Sequence, residues 1–243
     1  MSVQCIVFIP GTLCTSQMFD QIIEQFAHQY TDTDFIALDF VEESTLQAMV
    51  DTLNNAINGR SCVLVGFSMG GMVAMHALRS RIPNCQGLVL LNSNSHADLE
   101  GREAMRQAQI NEAKQIGFQT LFENSFLPNY LFRETDNIRQ QIWQMAKQLG
   151  LSTFERQSAV LAERPDSLSL LASLDIPVLI LAGEHDVLCA AEHQNVMAAA
   201  IKKSTLVFIH NAGHFAILEQ SKLVTTELEN WLNFNKLIGY TES

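Results

Sequence analysis

Residues 63–71 read Val63-Leu64-Val65-Gly66-Phe67-Ser68-Met69-Gly70-Gly71, and a helical pattern follows over 72–80. The apolar run before Gly66 predicts a buried β-strand, and the residues after Ser68 predict an α-helix. Glycines two positions before and after Ser68 remove side chains that would collide with neighbouring backbone in a tight strand-to-helix turn. This stretch therefore predicts an α/β fold in which Ser68 lies at the carboxyl end of a strand.

Five further short apolar runs resemble this strand, and helical patterns separate them. They cover residues 3–9, 35–38, 88–91, 178–181 and 206–209. Continuous apolar runs are typical of parallel strands that helices cover on both faces, and the intervening segments are long enough for crossover helices. The sequence thus predicts a doubly wound, mainly parallel sheet.

One interval lacks such runs and has helical spacing instead. The helical pattern covers residues 102–116, 119–126, 136–149 and 152–163, with breaks at Gly117, Pro128 and Gly150. We therefore predict a core domain formed by residues 1–97 and 173–243, with a helical cap inserted over residues 98–172. No internal repeat is evident.

The composition narrows the possible partners and the compartment. A formal net charge of −11 argues against nucleic acid or an anionic membrane as a partner. The five cysteines are scattered and form neither a disulfide framework nor a zinc motif, which favours a reducing cytoplasm. The N-terminal apolar run is too short for a signal peptide or a membrane span, so we expect a protein that is not exported. The oligomeric state stays open.

Ser68 has the surroundings that a nucleophilic serine needs. The tight turn exposes its hydroxyl, and the helix that begins beside it offers unpaired amide groups and a dipole that favour negative charge. Such a site stabilises a developing oxyanion. The alternative interpretation is that GxSxG is only a glycine-rich turn.

Two downstream loops carry groups that would complete this site. Residues Gly183-Glu184-His185-Asp186 follow the fifth predicted strand, and Asn211-Ala212-Gly213-His214-Phe215 follow the sixth. Parallel strands end at the same edge of a sheet, so both loops should open beside Ser68. Glu184 is an alternative acid, and His185 is expected to be a loop residue. We expect His76 and His210 to be structural or exposed, whereas His28, His96 and His193 belong to no motif.

The segments GFSMGG, GEHD and NAGHF, in this order and with a helical insertion before the fifth strand, resemble the α/β-hydrolase family over nearly the whole chain. The similarity extends to small capped serine esterases such as carrier-protein methyl esterases and enol-lactonase-like hydrolases. By this resemblance Ser68 attacks, His214 takes its proton, and Asp186 fixes the imidazole tautomer. Relatives with other chemistry carry aspartate at the position of Ser68, so the serine favours acyl transfer.

The oxyanion hole is expected in the loop after the first strand, Pro10-Gly11-Thr12-Leu13. Relatives commonly have histidine where Pro10 stands. By position the backbone amides of Thr12 and Met69 would be the donors, with Leu13 as the alternative to Thr12. An ordinary turn at Pro10-Gly11 is the other interpretation. We predict no cofactor and no metal, because phosphate-loop, dinucleotide and zinc-protease motifs are absent from the sequence.

Substrate selection is expected from the predicted cap. Phe122, Phe126 and Trp143 are our candidates for substrate binding, although apolar residues at helical spacing usually pack a helix on its neighbour. The arginines of this segment suggest recognition of a substrate carboxylate or of an acidic carrier protein; exposed helix charges are ordinarily only solvated. These are Arg102, Arg106, Arg133, Arg139, Arg156 and Arg164.

The sequence accordingly predicts a serine hydrolase that cleaves a carboxylic ester or thioester of a small acyl substrate, free or carrier-linked, through an acyl-enzyme intermediate. Two alternatives remain. One is a carbon–carbon bond hydrolase or lyase with the same three residues, and the other is a small-molecule receptor without turnover.

Overall fold

A six-stranded parallel sheet forms the centre of the molecule, in the order β2-β1-β3-β4-β5-β6. The computed structural model describes residues 2–80, 82 and 84–239. The predicted fold class is confirmed, and each of the six predicted strands is present. Their bounds are β1 Cys5–Ile9, β2 Asp34–Ala37, β3 Cys62–Phe67, β4 Cys85–Leu91, β5 Val178–Gly183 and β6 Ser204–Ile209.

Helices cover both faces of this sheet. Helices α1 (Asp20–Gln29) and α10 (Ser221–Phe234) pack on one face, and α2 (Leu46–Ile57), α3 (Met69–Arg79) and α8 (Ala191–Ala200) pack on the other. In β1, Phe8 belongs to the first buried cluster and Val7 to the second. Both sets of side chains must be apolar because both are buried, which is why the strands are continuous apolar runs.

The segment between β4 and β5 is helical, as predicted. It contains α4 (Arg102–Ile116), α5 (Phe118–Leu121), a π-helical turn (Phe122–Phe126), a 3-10 turn (Leu127–Asn129), α6 (Asp136–Ala162) and α7 (Leu168–Ser173). Gly150 has a φ of 75° and kinks α6 at the predicted break. Ile110 and Phe154 from this segment share a buried cluster with Phe8 and Phe67 of the sheet. The residue limits of the cap stay a prediction.

The remaining elements are a 3-10 turn at Ser16–Phe19 and the short helix α9, Ala216–Glu219. Within residues 2–80, 82 and 84–239, every helix is too short or too polar to cross a lipid bilayer.

Two glycines let α3 begin directly against the sheet. A Cβ atom on Gly66 would lie 2.5 Å from the Cα and N atoms of Gly71, and one on Gly70 would lie 2.0 Å from the carbonyl oxygen of Ile9. These neighbours are backbone atoms, so no side-chain rotation could relieve the clash. The close approach of β3 and α3, which presents Ser68, therefore requires glycine at both positions.

We predict that Gly66→Ala destabilises the protein by about 3 kcal/mol, because the backbone must shift to admit the methyl group. The free energy of unfolding from urea titration measures this loss. Gly59→Ala is the matched control. Gly59 has a φ of 75°, but nothing lies within 4 Å of its Cβ position, so that variant should lose only about 1 kcal/mol from left-handed strain. Equal losses in the two variants would contradict the packing argument.

Candidate active site

Ser68 lies between β3 and α3 in a strained backbone conformation. Its φ is 50° and its ψ is −115°, values that a residue with a side chain adopts only when its surroundings enforce them. Three hydrogen bonds do so here. The backbone N–H of Ser68 donates to the carbonyl of Leu91 at 2.9 Å, and its carbonyl accepts from the Gly71 N–H at 3.0 Å and from the Ser93 hydroxyl at 2.8 Å. The partly exposed hydroxyl is thus fixed at the carboxyl edge of the sheet.

His214 lies within hydrogen-bond distance of this hydroxyl. Its Nε2 atom is 3.0 Å from Ser68 Oγ, and its Nδ1 atom is 2.9 Å from Oδ2 of Asp186. A carboxylate at Nδ1 favours the tautomer with a proton on Nδ1, which leaves Nε2 free to accept the serine proton. The backbone N–H of His214 also donates to the Tyr130 carbonyl at 2.8 Å, so the segment before β5 helps to fix the histidine loop.

Asp186 is buried and accepts hydrogen bonds at both of its oxygens. Oδ2 accepts from Nδ2 of Asn92 at 2.8 Å as well as from His214, and Oδ1 accepts from the backbone N–H groups of Leu188 and Cys189 at 2.8 and 2.9 Å. Burial alone would raise the pKa of this carboxyl. The neighbouring His214 and the hydrogen bonds outweigh burial and lower the pKa to about 2. The group is therefore a fixed carboxylate at neutral pH.

The backbone amides of Thr12 and Met69, both near Ser68, donate to no acceptor among the described residues. Thr12 lines the cavity at Ser68, and Met69 is the first residue of α3. The alternative donor, Leu13, is already committed. Its N–H donates to Oε1 of Gln157 on α6 at 2.8 Å, so the expectation that Leu13 could donate to an oxyanion is wrong.

Gln157 connects α6 to the loop after β1. The side chain is buried, and its amide group donates to the Phe40 carbonyl at 3.1 Å while its oxygen accepts from Leu13. Leu13 has a φ of 57°, a left-handed conformation that a non-glycine residue adopts at a cost. The Gln157 hydrogen bond therefore stabilises the strained turn that carries Thr12.

A cavity of about 370 Å³ opens at Ser68. Thr12, Ser68 and His214 line it together with residues of the helices between β4 and β5. Its size is in the range that holds small organic ligands. Much of the lining is apolar and includes Met72, Met105, Phe126, Phe154 and Leu161.

The three apolar residues expected to bind substrate are placed differently from one another. Phe126 lines the cavity, but Phe122 is completely buried and Trp143 packs against Phe118 and Phe122. The placement of Phe122 and Trp143 against the substrate is therefore corrected. Both belong to the aromatic core of the inserted segment, because helical spacing does not distinguish the side of a helix that packs from the side that faces a cavity.

The structure also shows where the remaining acidic and histidine candidates lie. Glu184, the alternative acid, lies at the surface with His210 Nδ1 3.0 Å from its Oε2 atom, and it does not contact His214. The His210 hydrogen bond is the main cause that lowers the pKa of Glu184. His96 and His193, which no sequence motif singled out, both line the cavity.

Asp186, Cys189 and His214 bring three potential metal-ligand atoms within 4.8 Å of one another. The first and third are already joined by a hydrogen bond. Burial raises the pKa of the Cys189 thiol far above its usual range, and a protonated thiol is a poor metal ligand. This donor set therefore suits a hydrogen-bonded relay better than a metal ion.

Besides Gln157, Asn92 and Glu219 also hold the site and were not predicted from sequence. Asn92 is the first residue after β4, and its Nδ2 also donates to the Gly213 carbonyl at 3.2 Å. Because Asn92 directly follows β4, at the edge of the sheet where Ser68 follows β3, the sequence could have indicated that it lies in the site. Glu219 accepts from the Gly213 N–H at 2.7 Å, and no local sequence pattern indicates that contact.

Comparisons with known proteins agree with this geometry. The model of the alpha/beta hydrolase family matches residues 6–227. A Haemophilus influenzae protein named "Putative 2-succinyl-6-hydroxy-2,4-cyclohexadiene-1-carboxylate synthase" is 24% identical over an alignment that covers 93% of this chain and 96% of that protein.

Two solved structures are similar over almost the whole chain. A thermophilic esterase from Thermogutta terrifontis, solved with malate bound, has a TM-score of 0.85 and 25% identity, and covers 96% of this chain and 91% of its own. MenH from S. aureus has a TM-score of 0.80 and 23% identity, and covers 96% of this chain and 94% of its own. At 23% identity, the similarity to MenH from S. aureus is a similarity of fold.

We predict that Asp186→Asn removes a pH-dependent part of the stability. The folded-state pKa of about 2 lies below the ordinary 3.8, so the ionised carboxylate stabilises the folded protein above pH 3.8, and this contribution is lost as the pH falls towards 2. Its size is about 2 kcal/mol. Urea unfolding of the wild type and the variant along a pH series measures the difference, which should shrink over this window. A difference that stays constant down to the lowest pH would contradict the assignment.

Proposed function

Because the chain belongs to the alpha/beta hydrolase family, we propose that it cleaves a carboxylic ester or thioester of a small acyl substrate, with Ser68 as the nucleophile. The observation that supports this most is the continuous relay from Ser68 Oγ through His214 to Asp186, with contacts of 3.0 and 2.9 Å. A hydroxyl is a weak nucleophile unless an adjacent base accepts its proton, and this arrangement supplies that base.

In the first half of the proposed reaction, Ser68 Oγ attacks the acyl carbon while His214 Nε2 takes the hydroxyl proton. The new C–O bond gives a tetrahedral oxyanion. Collapse of this species breaks the bond to the leaving alcohol or thiol, and His214 returns the proton to the leaving group. Asp186 stays ionised throughout and stabilises the imidazolium that forms.

The backbone amides of Thr12 and Met69 are the proposed donors to the oxyanion. Both lack another acceptor among the residues described, and Met69 N–H also lies at the N-terminus of α3, where the helix dipole favours negative charge. One such donor typically contributes about 3 kcal/mol to the transition state.

In the second half, water replaces the leaving group. His214 takes a proton from the water as it attacks the acyl carbon, and the bond to Ser68 Oγ breaks when the proton is returned to the serine. The acid product and the free enzyme result, with no electron acceptor or further reactant required.

A second candidate is carbon–carbon bond hydrolysis or lyase chemistry with the same three residues. The name of the Haemophilus influenzae relative, a synthase of a cyclohexadiene carboxylate, favours it, since that name is not an esterase's. In that case the Ser68–His214 pair would serve as a base towards a substrate proton.

We place this activity in the cytoplasm, acting on a free or carrier-linked acyl compound. All five cysteines are buried free thiols, the state expected in a reducing compartment. The net charge of −11 disfavours nucleic acid and anionic membranes as partners.

We predict that the wild type hydrolyses p-nitrophenyl esters of some chain length and that Ser68→Ala lowers kcat by a factor on the order of 10⁴ or more. Release of p-nitrophenol measures the rate. Intact-mass spectrometry after rapid mixing should detect the acyl group on the wild type and not on the variant.

Ser80→Ala, an exposed serine at the end of α3, is the matched control and should keep full activity. Equal background rates in the wild type and Ser68→Ala over the entire ester series would overturn the esterase proposal and favour carbon–carbon chemistry.

We also predict that Gln157→Leu lowers kcat by on the order of tenfold to a hundredfold with a smaller effect on KM, because the loop that carries the Thr12 amide loses its anchor. Steady-state kinetics on the best ester of the series measures the two constants. Gln148→Leu, an exposed position on the same helix, should change neither constant. A Gln157→Leu variant that changes only stability would assign Gln157 a purely structural role.

A further inference from the structure

The cavity at Ser68 carries a charge opposite to that of the whole chain. The sequence has 26 acidic and 15 basic residues. Three arginines nevertheless line the cavity, and no aspartate or glutamate is among the described residues that line it. We name these three the arginine group: Arg102, Arg106 and Arg164. Solubility does not account for cations inside a cavity of an acidic protein, so the imbalance indicates a role in binding.

Two members of the arginine group share one buried carboxylate. The Nη1 and Nη2 atoms of Arg106 donate to Oδ1 and Oδ2 of Asp98, and Nη1 of Arg164 lies 2.8 Å from the same Oδ1 atom. The Nε of Arg164 also donates to the His96 carbonyl at 3.0 Å. These contacts fix both arginines, and the single negative charge of Asp98 offsets only one of their two positive charges.

The third member, Arg102, has no such partner. Within the described part of the chain, no carboxylate or carbonyl accepts a hydrogen bond from its guanidinium group. It is the first residue of α4, a helix of 15 residues, so the helix dipole adds to its positive field. The Nε atom of Arg106, a residue only 7% exposed, is likewise buried and has no acceptor among the residues that the structure describes. The arginine group therefore retains an excess positive charge and unused donors.

Two histidines beside the arginine group are consistent with a positive field. His96 and His193 line the cavity with ring centroids 4.4 Å apart. Burial lowers the pKa of His96 first, and the adjacent His193 and Arg164 lower it further, against the opposing effect of Asp166. An imidazole N–H can donate a hydrogen bond to an anionic ligand even when the ring is neutral.

We propose that the arginine group binds a carboxylate of the substrate, so that the preferred substrate is an ester or thioester that bears a second, ionised carboxyl group. This inference rests on the proposed function for the bond that is cleaved, and it adds the charged group that the substrate carries. The apolar lining of Met72, Phe126, Phe154 and Leu161 suits the hydrocarbon part of such a molecule. Arginine donates two parallel hydrogen bonds to a carboxylate, which lysine does not do.

The test compares charged and neutral substrates of equal shape. Mono-p-nitrophenyl esters of dicarboxylic acids from glutarate to suberate place the carboxylate on the acyl side, and simple fatty-acyl p-nitrophenyl esters of matching length are the neutral counterparts. 4-Acetoxybenzoate and its methyl ester place the charge on the leaving group instead. We expect kcat/KM to favour the charged member of at least one pair by about tenfold or more.

Arg102→Gln removes the unpaired charge and leaves the Asp98 contacts intact. This variant should lose most of the preference for the charged substrate, with a much smaller change in kcat/KM for the neutral ester than for the charged one, whereas Arg102→Lys should restore only part of the preference. Arg139→Gln is the matched control, since Arg139 lies on α6 outside the cavity and pairs with Glu134 at 3.0 Å. That control should keep the wild-type ratio.

A binding measurement separates this inference from the proposed function. Calorimetric titration of adipate into the Ser68→Ala variant requires no turnover, and the binding should weaken about tenfold or more when Arg102→Gln is added. Hydrolysis of neutral esters with no preference for any charged pair, together with adipate binding unaffected by Arg102→Gln, would overturn the inference and leave the hydrolase intact. Arginine-dependent adipate binding without hydrolysis of any ester would support the anion site and overturn the esterase proposal.

Discussion

The parallel direction of the strands is the constraint on which the rest of this structure depends. Ser68, Asn92 and Asp186 each come within three residues of the carboxyl end of β3, β4 or β5, and His214 follows β6. Backbone register then fixes their separations: Phe67 is opposite Leu91, Leu91 is opposite Leu181, and Gly183 is opposite Ile209. Groups that are up to 146 residues apart in sequence meet because hydrogen-bonded ladders hold their strands in register.

This edge of the sheet is also where the backbone is most strained. Leu13, Ser68, Asn92 and Asn211 all have positive φ values, between 45° and 57°, and each follows a strand. Conformations of this kind cost about 1–3 kcal/mol each. Buried hydrogen bonds oppose the cost, as at Leu13 with Gln157 and at Ser68 with Leu91. The strain concentrates where side chains and amides must be aimed into the cavity, and the regular part of the sheet provides the stability that tolerates it.

The strands and the three relay residues were predictable from the sequence because their signals are local. A fully buried parallel strand is a continuous apolar run, and the loops that carry Ser68, Asp186 and His214 have recognisable compositions. Gln157 contacts Leu13 across 144 residues, so no spacing indicates it, and the contact of Glu219 with Gly213 six residues earlier matches no recognisable local pattern. Phe122 and Trp143 were misplaced because periodicity shows that a helix has an apolar face but not whether that face meets another helix or a cavity. The sequence leaves Leu13 open as an oxyanion donor because the acceptor that engages its N–H, Gln157, lies on α6, and no local pattern indicates that contact.

The inserted helices contribute to the site in two physically different ways, and each uses a suitable type of group. Beside the proposed oxyanion hole the buried side chain is the neutral amide of Gln157. A carboxylate there could also accept from Leu13, but it could not donate to the Phe40 carbonyl, and its charge would repel the oxyanion. In the arginine group the side chains are cationic, and the single charge of Asp98 offsets only part of their positive charge. A neutral anchor beside the proposed oxyanion hole keeps negative charge away from the developing oxyanion, while the arginine group in the same cavity supplies the positive field that attracts a negatively charged substrate.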